Sequence, residues 1–345
     1  MLITDTQEIH SLMDGNFRWL GIPAVERTAR GRLFVSFYTG GDTEQMGNYV
    51  PLILSDDDGE TWSPPVAAAW FGTDLRAYDE CLWIDPRGRL WFFYSRQPDH
   101  AVFASRCDDP DANTLSWHDP VYVGQDVMLN KPIVASDGRW LLPIAVWRTD
   151  IPQIKGGASS LTPPPRLAFV YESRDEGATF TRLGGADVPG RWYDEHMIYE
   201  KRDGALRMLV RTQLGIGESL SHDGGHTWSA GADTGWGGPN SRFHIRRLPS
   251  GRLLLINHLR FTGRSHLTAL LSEDDGNTWR EGLLLDGRHD VSYPDACVSP
   301  DGAIYAVYDR ERYGAREILM ARFTEEDILA GHGGRLQTVV ARIDP

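Results

Sequence analysis

The chain has 345 residues, 41% of them apolar, with 12 each of Trp, Tyr and Phe and 36 glycines. That is enough apolar matter for a sizeable core, and the mix of aromatics and glycines suits short strands joined by tight turns. A net charge of −13 and a pI near 5.3 exclude indiscriminate nucleic-acid binding, which needs a basic surface.

The N-terminal stretch MLITDTQEIHSLMDG has neither the basic nor the apolar region of a signal peptide. No apolar run approaches the roughly 20 residues of a membrane span. The expectation is a cytoplasmic protein with no membrane partner. Cys81, Cys107 and Cys297 are too few and too widely spaced for a disulfide framework or a zinc motif, and are expected to be buried free thiols.

The first predicted element after this stretch is a hairpin, an apolar run turning at Gly31 in ARGRLFVSFY. The same pattern returns in PRGRLWFFYS at Gly88, SDGRWLLPIA at Gly138, RDGALRMLVR at Gly204, PSGRLLLINH at Gly251 and PDGAIYAVYD at Gly302. Glycine supplies the backbone freedom that such a turn demands. A second motif, S-x-D-x-G-x-T-[W/F], follows most of the hairpins. Its copies begin at Ser55 (SDDDGETW), Ser173 (SRDEGATF), Ser221 (SHDGGHTW) and Ser272 (SEDDGNTW), with a degraded copy between Ser105 and Trp117. Its Asp accepts hydrogen bonds from nearby backbone amides, so this Asp-box is a turn staple and carries no chemistry. One hairpin plus one Asp-box hairpin makes a four-stranded antiparallel blade of roughly 50 residues. Six such blades predict an all-β, six-bladed propeller occupying residues 1–345 as a single domain. LTPPPR (161–166) reads as a surface-loop insertion. Either the segment QTVVARI (337–343) or the N-terminal residues are expected to supply the strand that closes the ring.

The topology also locates a site. The first strand of each blade is innermost and runs to the Gly turn, so its start and the end of the second strand share one face of the disc. The Asp-boxes lie on the other. The strand starts carry Gly21-Ile22-Pro23, Asp79-Glu80, Asn130-Lys131, Asp194-Glu195-His196, Ser241-Arg242 and Tyr293-Pro294-Asp295. The second strands end on Tyr38, Ser95-Arg96, Trp147-Arg148, Arg211, His258 and Asp309. Titratable groups converging on one concave mouth mark a candidate site. His196, His244 and His258 show no spaced metal motif, so no metal and no other cofactor is expected.

The Asp-boxes and this constellation resemble the sialidase superfamily across nearly the whole chain. The resemblance implies an exo-acting glycoside hydrolase with a carbohydrate substrate, a Tyr nucleophile partnered by a Glu, an Asp acid/base and three substrate-gripping Arg residues. By motif position it implies Glu195 (YDEHMIYEKRDG) as the Glu, Tyr293 (SYPDACVSPDG) as the nucleophile, and Arg211 and Arg264 as two of the arginines. The third Arg slot, before Ile-Pro in FRWLGIPAV, holds Gly21. Arg18 lies three residues earlier, and Arg242, Arg96 and Arg148 are the candidates for rebuilding an anion site from other blades. The loop YTGGDTEQMGNYV offers Asp42 and Glu44 as acid/base. Glu80, Lys131, His196 and Asp295 complete the candidate substrate-binding set. A phenol is a poor nucleophile while neutral, so a Glu that takes its proton and arginines that favour the phenolate make chemical sense. Arg also suits a planar carboxylate. Two readings stay beside the hydrolase: a polysaccharide lyase in which Tyr293 and His196 remove a proton next to a uronate carboxylate neutralised by Arg211, and a glycan-binding propeller without turnover.

Overall fold

The computed structural model describes residues 1–125, 127–147, 166–280 and 282–343. They form six antiparallel sheets around one axis. The innermost strands are Leu20–Arg27, Arg76–Ile84, Ile133–Val134, Met197–Glu200, His244–Arg247 and Val291–Val298, and in each blade the chain steps outward strand by strand. Blades 2 to 6 have four strands. Blade 1 has five, because Leu2–Ile3 pairs with Ala67–Ala69 at its outer edge. Most of the Pro-rich insertion at 161–166 lies outside the described residues, as does Arg148.

All four Asp-boxes make the same staple. In the first, Asp57 accepts from the Thr61 amide at 2.9 Å and the Thr61 hydroxyl at 2.6 Å, while Ser55 Oγ accepts from the Gly59 amide at 2.9 Å. Asp175, Asp223 and Asp274 repeat the pattern with Thr179, Thr227 and Thr278. The glycine also lets blades approach one another. Gly177 has φ 87°, and a Cβ there would run into Trp91 and Trp140, so the box of blade 3 seats against an aromatic of blade 2. All three cysteines are buried free thiols.

Neither chain end crosses to another blade. Arg335–Arg342 is the outer strand of blade 6, and the N-terminal strand only widens blade 1. Each blade is already complete from contiguous sequence, so the ring closes through side chains. Asp295 accepts from the Val25 amide at 2.9 Å, Asp309 from the Ile22 amide at 2.8 Å, and Asp58 from the Tyr305 hydroxyl at 2.9 Å.

At the axis all six inner strands meet in one buried polar hub. Lys131 Nζ lies 3.0 Å from Asp295 and 3.1 Å from Glu26, and donates to the carbonyls of Val25 (2.7 Å) and Leu82 (2.6 Å). Arg242 is fully buried and donates to Asn130 Oδ1 (2.7 Å), the Leu129 carbonyl (3.0 Å) and the Pro23 carbonyl (3.2 Å). Asn130 in turn donates to the carbonyls of Glu195 (2.8 Å) and His196 (3.0 Å). On the far face, toward the Gly turns, lies a cavity of about 610 Å³ lined in part by Lys131, Met197, His244 and Arg246.

Removing one partner of a buried ion cluster leaves the others uncompensated, a cost of about 3–5 kcal/mol. Lys131→Ala should therefore lower unfolding free energy in urea by about that amount; a loss under about 1 kcal/mol would show that the hub does not hold the blades together.

Candidate active site

Three of the positions singled out by topology meet directly. Tyr293 donates its hydroxyl to Glu195 Oε1 at 2.7 Å, and Arg211 Nη1 bridges the pair, 2.6 Å from Glu195 Oε1 and 2.8 Å from the Tyr293 oxygen. Backbone pairing explains part of this. Met197 is registered with Leu209 in blade 4, and the Arg211 amide donates to the Asp194 carbonyl at 2.8 Å, so Glu195 and Arg211 face each other across neighbouring strands. Tyr293 reaches them from blade 6. Arg211 Nε is held by Asn240 Oδ1 at 2.6 Å.

The strand starts share a backbone device. Ile22 (φ 58°), Asp79 (45°), Glu195 (41°) and Tyr293 (56°) all have positive φ. In blades 1, 2 and 6 the pairing register slips at this point, between Gly21 and Ala24, Tyr78 and Cys81, and Ser292 and Asp295. A bulge re-aims side chains next to a site, and a non-glycine residue in the left-handed region stores strain that the surroundings must hold.

Burial pushes the Tyr293 phenol up to about 12, against the pull of Arg211, so it is neutral at rest. Two further guanidiniums lie over its ring, Arg312 with Cζ 4.3 Å and Arg264 with Cζ 5.3 Å from the centroid. Among the described residues Arg264 makes two long hydrogen bonds, each 3.4 Å, to Ser292 Oγ and the Asn240 carbonyl. Arg312 is clasped by Asp309, 2.8 Å from Nε, and contacts Glu44 Oε1 at 3.3 Å.

Asp42 and Glu44 part company. Asp42 is 76% exposed and paired with Arg18 at 2.8 Å on the rim, which also accounts for Arg18 not reaching the centre. Glu44 turns inward to Arg76 at 2.9 Å. Burial raises its carboxyl, but Arg76 and Arg312 outweigh that and leave it below the ordinary range. Of the remaining candidates, Arg242, Lys131 and Asp295 sit in the axial hub with their partners supplied by the protein, below the mouth rather than in it. Glu80 is fully buried beside them, and burial raises its carboxyl well above the ordinary range. His196 is turned to the Phe169 carbonyl, 2.7 Å from Nε2, and burial lowers it to about 4, so it is a neutral ring tied into blade 3. Arg96 pairs with Asp99 and stacks on Phe71 and Phe103. The guanidinium that comes over the Tyr293 ring beside Gly21 is thus none of those expected. It is Arg312, in a loop after the second strand of blade 6 (YDRERYGAR). Asn240 is the other residue that sequence reasoning missed. Arg312 follows a strand end on the mouth side, the signal that had selected Arg211.

The family model described as a BNR repeat-like domain matches residues 71–306. No curated protein matches the sequence. Among solved structures, the Hadza microbial sialidase Hz136 superposes with a TM-score of 0.71 at 18% identity, over 91% of this chain and 67% of that one. An intramolecular trans-sialidase from Ruminococcus gnavus, in complex with oseltamivir carboxylate, gives 0.64 at 13% identity, over 91% and 96%. An α-L-arabinanase from Penicillium chrysogenum, complexed with arabinobiose, gives 0.60 at 12% identity, over 90% and 94%. At these identities the likeness is one of fold.

Asp79, the bulged residue of blade 2, makes a prediction that needs no substrate. It is 4% exposed and has no hydrogen-bond partner for its carboxyl among the described residues. Burial raises it to about 8, against the pull of Arg76. The folded protein then keeps a proton that the unfolded chain loses near about 4, so stability from this residue is fully present at low pH and falls as pH rises toward about 8. The thermal midpoint of Asp79→Asn should drop less than that of the wild type between pH values of about 5 and 8. Parallel declines would rule out a buried, protonated carboxyl at this position.

Proposed function

This chain belongs to the BNR repeat-like domain family, and on that footing we propose that it is an exo-acting glycoside hydrolase that releases a terminal acidic sugar with retention of configuration. The observation that carries the reading is the Tyr293–Glu195 hydrogen bond of 2.7 Å with Arg211 bridging both oxygens. A lone buried tyrosine would have no route to ionise. Here the proton has a defined acceptor, and the cation beside it offsets the charge left on oxygen. Glu195 Oε2 has no hydrogen-bond partner among the described residues, which leaves that carboxylate with acceptor capacity to spare.

In the proposed reaction the Tyr293 oxygen attacks the anomeric carbon while its proton passes to Glu195. The bond to the leaving oxygen breaks, and that oxygen takes a proton from an acid on the blade 1 loop. Water then displaces the tyrosine from the sugar, giving its proton to the same loop residue, while Glu195 returns the phenolic proton. Glu44 is placed better for the loop role than Asp42, because it shares Arg312 with the Tyr293 ring whereas Asp42 is spent on Arg18 at the rim; Arg76 and Arg312 hold its carboxyl ionised, so it acts as an acid only once a substrate anion draws a guanidinium away. The acidic sugar is favoured by guanidiniums gathered around the phenol, since their planar forks match a carboxylate. A tyrosine nucleophile also departs from the two-carboxylate scheme usual among glycosidases, and a neutral phenol meets less repulsion from an anionic sugar than a carboxylate would. A ligand named as a carboxylate in one of the structures sharing the fold agrees with this choice.

The test is hydrolysis of aryl glycosides of sialic acid, its deaminated analogue, uronic acids and rhamnose. Release from an acidic sugar should fall by at least about 1,000-fold in Tyr293→Phe, with the circular dichroism spectrum unchanged. Full activity in that variant would sink the mechanism. An unsaturated, ultraviolet-absorbing product from a uronate polysaccharide would replace hydrolysis by elimination.

A further inference from the structure

We infer that the cavity on the far face, toward the Gly turns, is a second ligand site, separate from the mouth, and that it takes a small hydroxy carboxylate carried on an apolar body.

The cavity follows from unequal inner strands. Those of blades 1, 2 and 6 run for 8, 9 and 8 residues, but those of blades 3, 4 and 5 for only 2, 4 and 4. The axis is therefore filled on one side and open on the other. The space left is about 610 Å³, within the roughly 300–1,000 Å³ of small-molecule sites. Its walls are apolar: Trp83 from blade 2, Pro132, Ile133 and Val134 from blade 3, and Met197 from blade 4. Val134 is 42% exposed, so the cavity meets solvent there. The hub around Lys131 and Arg242 closes the other end, so a ligand held here does not touch Tyr293.

Most charged groups of the lining are already spent. Arg247 donates to Asp275 at 2.6 Å and to the Glu200 and Gly251 carbonyls at 2.9 Å. Lys201 pairs with Asp203 at 2.8 Å, and Glu200 accepts from the Ser136 amide at 2.7 Å and hydroxyl at 2.6 Å. Asp85 accepts from Trp91 at 2.9 Å, and Arg202 donates to the Gly251 carbonyl at 3.0 Å. Arg246 and His244 differ. Arg246 Nη1 is buried without a hydrogen-bond partner among the described residues, and its ion pair with Glu26 Oε1 is 4.0 Å long. His244 is 2% exposed, and its Nε2 has no partner among the described residues either. The two lie two positions apart on one strand, so they face the same way, roughly 7 Å apart along it.

The floor selects charge. Lys131, Arg242 and Arg246 stand against Glu26 and Asp295, three cations to two anions. Glu80 beside them is neutral, because burial raises its carboxyl well above the ordinary range. One positive charge is left over against apolar walls, in a chain whose net charge is −13. A carboxylate on Arg246 neutralises it. His244 selects a second group. Burial lowers the imidazole to about 4, so it is neutral. Burial acts to raise Asp295, but Lys131 and His244 outweigh it and keep that carboxyl ionised. His244 Nδ1, 3.2 Å from Asp295 Oδ1, therefore carries the ring's one proton, and Nε2 offers a lone pair. The ligand must bring a donor to it, and a hydroxyl near the carboxylate does so. The walls call for an apolar remainder.

Calorimetry with 3-phenyllactate tests this, beside three relatives that each lack one feature. Its methyl ester has no charge, 3-phenylpropionate has no hydroxyl, and lactate has no apolar body. The wild type should bind phenyllactate, and each relative at least about 10-fold more weakly. Arg246→Gln should weaken phenyllactate binding by about 10-fold or more and leave the ester almost unchanged. Val134→Trp, at the exposed edge, should obstruct the cavity and weaken both. Arg264→Gln, at the mouth, should leave phenyllactate binding as it is. Unfolding of each variant is followed in parallel, and Arg246→Lys keeps the charge, and with it the preference for acid over ester, if the glutamine variant is unstable. Absence of phenyllactate binding, equal affinity for acid and ester, or equal affinity for phenyllactate and phenylpropionate would each overturn the inference. So would loss of binding in Arg264→Gln with none in Arg246→Gln, which would place the ligand at the mouth. None of these outcomes depends on whether the chain hydrolyses a glycoside.

Discussion

The molecule depends on the burial of one lysine. Lys131 Nζ is carried into the axis of the propeller, where an ammonium can persist only if it is paired and fully hydrogen-bonded. Its four partners come from three other blades: the Glu26 carboxylate and Val25 carbonyl from blade 1, the Leu82 carbonyl from blade 2 and the Asp295 carboxylate from blade 6. Burial favours the neutral amine, but Asp295 and Glu26 more than reverse that and hold the group charged. Blades that each fold from contiguous sequence have no strand exchange to set their mutual angle. A buried cation that must find its partners on separate blades sets it instead, and Arg242 repeats the logic with carbonyls of blades 1 and 3.

The hub and the site are one construction because they use adjacent residues of the same strands. Asp295 is in the hub and Tyr293 is in the mouth, two positions apart, and both would face the same way on a regular strand. The bulge between Ser292 and Asp295 breaks that alternation. The same displacement in blade 2 separates Asp79 from the strand below it, and the run Tyr193–Asp194–Glu195, all with positive φ, does so in blade 4. Each such residue costs about 1–3 kcal/mol of backbone strain. The axial ion cluster and the Asp309 anchor supply the rigidity that keeps the strained residues where they are, so the order of Tyr293, Glu195 and Arg211 to within hydrogen-bonding distance is inherited from contacts that no substrate touches.

This also explains what could be read in the sequence and what could not. The blades were legible because turn chemistry is local: the Asp, Gly and Thr of each box bond within five residues of one another, and six glycine hairpins mark the repeat. Tyr293, Glu195 and Arg211 were legible because strand direction places both ends of an inner hairpin on one face. Depth was not legible. Lys131, Arg242 and Asp295 stand at strand starts just as the mouth residues do, and in blades 1, 2 and 6 a bulge that no local motif announces decides which side chains sink to the axis. His196 went astray for the same reason, its neighbour Glu195 taking the mouth while the imidazole turned to Phe169. Arg312 was hidden by a different limit, since a loop residue that crosses from blade 6 to blade 1 has no periodicity to betray it, and the glycine it covers looks in sequence like a missing arginine.

The two sets of arginines show how the same side chain is put to opposite uses. Arg242 donates to Asn130 and to two main-chain carbonyls and is fully buried, so a ligand arriving from solvent does not reach it. Arg264 reaches only to 3.4 Å on both of its partners, and Arg312 gives one face to Asp309 while keeping a loose contact to Glu44. A guanidinium with long or few hydrogen bonds keeps donor capacity that a polar ligand can use. Donor satisfaction, more than position in the chain, separates the arginines that hold this propeller together from those available to a substrate, and by that measure the available ones converge on Tyr293.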